Sequence, residues 1–107
     1  MRQIDEQLIQ EITQTLVERF HPRRIVLFGS HARGDAGPDS DLDLMVEMES
    51  EDPPFTRAVG VSQAFPWRDW PLDVFVYTPH EVQQQRDVMG DLIYTIEREG
   101  KTLYASS

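Results

Sequence analysis

The stretch "FGSHARGDAGPDSDLDLMVEM", residues 28–48, holds a Gly-Ser pair, a glycine-containing loop and then two aspartates one residue apart. Its second half alternates in character. Read as a strand over 41–48, it puts Asp41, Asp43, Met45 and Glu47 on one face and Leu42, Leu44, Val46 and Met48 on the other. Carboxylates at i and i+2 then stand about 6.5–7 Å apart. Left bare, they repel by roughly 2–3 kcal/mol at an effective dielectric near 20, and by well under about 1 kcal/mol in open water. The plain reading is a solvated strand face. The alternative is a divalent cation that removes the repulsion.

The loop ahead of the strand favours the cation. Asp41 and Asp43 follow Ser30 by 11 and 13 residues. Gly29 lets backbone approach a ligand closely, Ser30 brings a hydroxyl donor, and consecutive N–H groups in such a loop can cradle an anion. Magnesium binds through one or two carboxylates and fills its shell with water and substrate phosphates. Asp41 and Asp43 can hold one such ion, or two between them, beside phosphates resting on Gly29 and Ser30. Arg33 lies in the same loop, where it either reaches a phosphate or faces solvent.

Working outward, "RIVLFG" at 24–29 is a short β-rich run stopped by glycine, and residues 4–20 carry apolar side chains at helical spacing up to Pro22. Ser30 is expected to cap one short helical turn. "ESEDPP" at 49–54 reads as an acidic turn, with Glu47 counted among its solvated carboxylates. Residues 55–65 read as a weak helix with Phe55, Val59 and Ser62 on one side. "PLDVFVYTP" at 71–79 is a strand bracketed by prolines. Thr78, Pro79 and Glu81 then form a helix start with a capping box. One helix or two follow between 79 and 99, with Gly90 the candidate break, and 101–105 reads as a short edge strand. Phe65, Trp67 and Trp70 read as a satellite cluster of core beneath the loop, with a docking patch as the second reading, and Arg23 and Arg24 as strand flanks. The pattern predicts one sheet covered by helices in a single domain over 1–107.

Asp73 interrupts the apolar run of its strand and shares a side with Phe75 and Tyr77. If the 71–77 strand lies beside 41–48, Asp73 joins the other two aspartates, binds metal and accepts a proton from an attacking hydroxyl. His21, His31 and His80 make no metal-ligand spacing.

Composition narrows the function classes. The chain has 107 residues, no cysteine and a formal net charge of −9. The charge disfavours bulk nucleic-acid binding and suits a basic partner or a cation. The lack of cysteine suits the cytoplasm, no apolar run is long enough to span a bilayer, and the polar N-terminus is unlike a signal peptide.

"GSHARGDAGPDSDLDLMV" resembles the GSxARG…SDxDLxV signature of minimal nucleotidyltransferase domains of the DNA polymerase β-like superfamily, and "LDVFVY" looks like the element carrying their third aspartate. The resemblance implies an α+β fold, a small mixed sheet with helices packed on one face. It implies that Gly29 and Ser30 bind nucleotide phosphates, that Asp41 and Asp43 coordinate two Mg2+ ions, and that Asp73 completes the site. The implied reaction moves AMP from ATP to a hydroxyl. The implied role, by likeness to small stand-alone members, is an antitoxin that adenylylates a tyrosine of a HEPN-domain ribonuclease toxin. His31 stands where many relatives carry arginine. Two rival readings remain: an antitoxin that masks its toxin sterically, and transfer to a small molecule.

Overall fold

A computed structural model describes residues 2–106. Helix α1 (Glu6–Phe20) starts where the Asp5 side chain accepts the Leu8 N–H at 2.8 Å, two residues later than the apolar spacing alone suggests. It ends where His21 turns left-handed (φ 48°) ahead of Pro22. Then come β1 (Arg24–Phe28), α2 (Ser30–Arg33), β2 (Leu42–Glu47), α3 (Pro54–Ser62), β3 (Leu72–Tyr77), α4 (Pro79–Gln85), α5 (Leu92–Glu99) and β4 (Lys101–Ala105). Gly29, not Ser30, is the N-cap of α2, so the expected Ser30 cap is replaced by a glycine turn.

The strands form one mixed sheet in the order β3-β2-β1-β4. β1 runs antiparallel to β2 and β4, whereas β2 and β3 are parallel. The parallel pair requires a crossover, and residues 48–71 with α3 supply it. The α+β class holds, and helical cover extends beyond the single face expected. The main core joins Leu8, Ile12 and Leu16 of α1 to Ile25, Leu27, Leu42, Leu44 and Val46 of the sheet. On the opposite face, Ile96 of α5 packs with Val26, Phe28 and Met45. The alternation along β1 and β2 therefore feeds two apolar layers.

Two side-chain expectations change, those for Trp67 and Glu47, and α3 turns its expected apolar side outward. In α3 the buried stripe is Arg57 and Val61, four residues apart, which turns Phe55 out to 81% exposure and exposes Val59 as well. Arg57 takes the sheet side because it donates to Glu81 Oε1 at 2.7 Å and to the Asp52 carbonyl at 2.6 Å. Trp70 packs on Phe65, but Trp67 is 94% exposed. Glu47 is not a solvated carboxylate: it is only 7% exposed. Its register partner Arg24 donates to it at 3.0 Å and also to Glu97 of α5.

Removing the cation from a buried pair leaves an uncompensated charge. Arg24→Ala is therefore expected to destabilise the fold by about 3 kcal/mol, read as a lower urea midpoint at unchanged slope. A rise of the midpoint would contradict this account.

Glu81 offers a pH test. The capping box is complete, with Thr78 N–H donating to Glu81 at 2.8 Å. Burial alone would raise its carboxyl, but hydrogen bonds from the Thr78 N–H and the Arg57 guanidinium outweigh it and hold the group below its usual range. A lowered folded value gives stabilisation that is full above the ordinary carboxylate range and vanishes as pH falls through the folded value. Glu81→Gln should cost about 1 kcal/mol near neutrality and lose that cost as pH falls below the ordinary carboxylate range. Denaturant melts across that range check it.

Candidate active site

The site lies where β1 ends and β2 and β3 begin. β1 runs out at Phe28, and Gly29 adopts φ 77°, ψ −156°, backbone that only glycine enters freely. A β-carbon there would collide with Oδ2 of Asp43. The turn thus needs glycine twice, for its dihedrals and for the carboxylate against it. The chain folds at once into α2, where Ala32 and Arg33 N–H groups donate to the Gly29 carbonyl at 3.1 and 3.0 Å. Gly34, left-handed at φ 84°, closes the turn onto Ser30.

Parallel pairing of β2 and β3 sets Asp43 directly beside Asp73, while Phe28 of β1 is the register partner of Asp43 on its other side. Asp41 lies two residues before Asp43. All three aspartates interact. Asp43 is half-buried, and its carboxyl sits above the usual range, first through burial and then through the charges of Asp73 and Asp41; His31 and Arg33 pull it back down. Asp73 is raised as well, by desolvation, by a side-chain hydrogen bond with Asp41 and by that residue's charge. A carboxyl–carboxyl hydrogen bond needs a proton on one partner. The cluster carries more negative charge than it can comfortably hold.

The donor chemistry suits a hard cation. Oxygen ligands stand at an open end of the sheet, with Asp41 and Asp73 exposed. Among the described residues, no three acidic or histidine side chains are already closed into a cation cage. Magnesium does not need one, because it keeps water and takes substrate phosphate oxygens alongside one or two carboxylates. Asp41, Asp43 and Asp73 would hold it.

Of the remaining expected residues, Ser30 opens the α2 turn and Arg33 is exposed, its Nε 3.3 Å from Asp35. His31 comes closer to the site than its lack of metal spacing suggests: it faces Asp43 electrostatically and its Nε2 lies 3.3 Å from the Ser40 carbonyl. The Phe28 and Phe75 rings, with centroids 5.5 Å apart, put an apolar floor beside the aspartates on the same sheet face. Alternation alone places Phe75 on the Asp73 side in the sequence; Phe28 needed the β1–β2 register. A cavity of about 640 Å³ lies elsewhere, behind the 34–40 loop against Arg2, Gln3 and Ile4, and no aspartate of the trio lines it. An open strand end is a shallow place, and its importance here follows from charge.

Two substitutions test the geometry. Gly29→Ala should destabilise by about 2 kcal/mol or more, since it adds backbone strain and a clash. Asp43→Asn should stabilise the metal-free protein by about 0.5–1 kcal/mol by relieving repulsion near the surface, and should abolish stabilisation by magnesium. A lower melting temperature for Asp43→Asn in chelator would contradict the crowding of charge.

Residues 9–63 match the family model of the nucleotidyltransferase domain, a segment that includes Gly29, Ser30, Arg33, Asp41 and Asp43. The protein adenylyltransferase MntA of Thermococcus cleftensis is 43% identical over 44 residues, 41% of this chain and 44% of that protein. A Methanocaldococcus jannaschii protein assigned the same activity is 33% identical over 49 residues, 46% of this chain and 49% of its own length. The matches thus span about half the length of these relatives. Among solved structures, a Sulfolobus solfataricus chain assigned to the nucleotidyltransferases superposes with a TM-score of 0.65 at 22% identity, covering 92% of this chain and 78% of that one. A toxin–antitoxin crystal structure with AMP-PNP superposes at 0.54 and 18% identity, covering 92% and 74%. These two likenesses establish the fold.

Proposed function

This chain belongs to the nucleotidyltransferase domain family, and we propose that it is a magnesium-dependent protein adenylyltransferase that moves AMP from ATP to a tyrosine hydroxyl of a HEPN-domain toxin. The observation that carries the chemistry is the register pair Asp43–Asp73 with Asp41 alongside, directly against the Gly29 turn. The names of the relatives support the adenylyl group and a protein acceptor. The toxin–antitoxin neighbour holding AMP-PNP supports the partner class and the nucleotide. The HEPN identity and the tyrosine come from the sequence resemblance.

In this reading each residue has a separate task. Gly29 lets phosphate oxygens approach the backbone, and the Ser30 hydroxyl donates to them. Arg33 swings from Asp35 to a phosphate. Asp41 and Asp43 hold the cations, two in the full complex. Asp73, its carboxyl raised above the usual range by burial and the neighbouring Asp41, accepts the proton of the acceptor hydroxyl as the new O–P bond forms. The bond between the α- and β-phosphates breaks and pyrophosphate leaves. Bound magnesium would supply charge neutralisation for the attacking and leaving oxygens. The exposed, shallow site suits an acceptor presented by another protein. The chain has no membrane-spanning helix among its described residues, and a cytoplasmic partner fits this reading.

The test is incubation of the protein with α-labelled ATP, magnesium and the product of the neighbouring gene. Label is expected on a tyrosine of that product, with transfer reduced at least about a thousandfold in Asp41→Asn/Asp43→Asn. Neutralisation of the toxin by that double variant, with no label transferred, would replace this reading with steric masking. Label on a small molecule alone would replace the acceptor.

A further inference from the structure

The chain has 19 carboxylates among its side chains, and nearly every arginine finds a partner. Arg2 pairs with Glu11, Arg24 with Glu47 and Glu97, Arg33 with Asp35 and Arg57 with Glu81. Arg68 donates to the Ser62 and Phe65 carbonyls, Arg98 lies 3.5 Å over the Tyr94 ring, and Arg19 lies 5.9 Å from the Phe20 ring centroid. Among the described residues, the side chains of Arg23 and Arg86 have no such hydrogen bond, ion pair or ring contact. These two come from distant parts of the sequence, yet both line one cavity of about 560 Å³.

That cavity lies at the opposite end of the sheet from the aspartates. Glu47, on its wall, is four residues along β2 from Asp43, about 13 Å away. Arg24 and His80 also line it. Its two carboxylates, Glu47 and Glu97, are both engaged by Arg24. With three arginines against two glutamates and His80 neutral, the lining has a net charge of +1 (3 − 2), in a chain whose net charge is −9. The buried Arg24–Glu47 pair makes a fixed wall, while the Arg23 and Arg86 guanidiniums retain their donors. Guanidinium forks match the geometry of phosphate oxygens, and the volume falls in the range of small-ligand sites.

We propose that this cavity is a second, non-catalytic site for a small multiply charged phosphate ligand, with Arg23 and Arg86 as its principal donors. It does not depend on the adenylyl-transfer reading. It places an anion site on a protein whose overall charge would otherwise repel one, and separates it from the aspartates by the length of the sheet.

The experiment is amide NMR titration of the whole protein with inorganic pyrophosphate, and separately with inorganic phosphate, in chelator so that the aspartates hold no metal. Shifts are expected at residues 23–24, 80–86, 97 and 106, with pyrophosphate binding more tightly than phosphate. Arg23→Gln/Arg86→Gln should weaken binding at least about tenfold while leaving the ligand-free spectrum of the core intact. Asp41→Asn/Asp43→Asn should leave the affinity and the shift pattern unchanged. Shifts confined to 29–34, affinity unaltered in the arginine double variant, or no binding by either phosphate would each overturn the proposal. So would shifts at this cavity produced by a polyglutamate peptide but not by phosphate, since that result would make it a protein-docking surface.

Discussion

The structure hinges on the parallel pairing of β2 with β3. In a sheet otherwise built from antiparallel neighbours, this one pair starts both strands at the same end, so that their first polar residues meet side by side. Had β3 run antiparallel, Asp73 would have faced a different part of β2. The crossover through α3 enforces the direction, and Arg57 secures that crossover by bonding the 49–53 loop to the start of α4. A helix without a catalytic residue therefore fixes where the third aspartate goes.

One sheet face carries two charge problems and solves them differently. At the β1 C-terminal end, Asp43 meets Asp73 and Asp41 with little cationic compensation, and burial together with that mutual contact pushes the Asp43 and Asp73 carboxyls up. At the far end of the same face, Glu47 is more deeply buried but has Arg24 in register. Between them lies the apolar layer of Val26, Phe28, Met45 and Ile96. The Glu47 carboxylate is satisfied internally, and the aspartate cluster is left short of positive charge. That deficit is the physical reason to expect a cation.

Much of this was legible in the sequence. The alternation located β2 to within a residue at each end, Asp41 lying just ahead of it, and the Thr78–Glu81 box located the start of α4 because capping is a local interaction. The break at Gly90 and the closing edge strand were local as well. What escaped depended on partners distant in sequence. Glu47 looks like one more member of an acidic run until Arg24, 23 residues away, is brought to it; Arg24 in turn reaches Glu97, 73 residues further along the chain. Phe55 and Val59 have the helical spacing of a buried stripe, but Arg57 occupies the sheet side because its partners are on β3 and α4. Trp67 and Trp70 are indistinguishable by composition, and only Trp70 meets Phe65. The meeting of Asp73 with Asp43 could be stated only as a condition on strand order.

The most direct measurement of that meeting is paramagnetic broadening of backbone amides by manganese, a stand-in for magnesium, in the presence of a non-hydrolysable ATP analogue. The account predicts broadening centred on residues 29–31, 41–44 and 73–75 together, three segments that only the parallel register brings within reach of one ion. Broadening centred on the acidic turn at 49–52, or at 41–44 without 73–75, would contradict it.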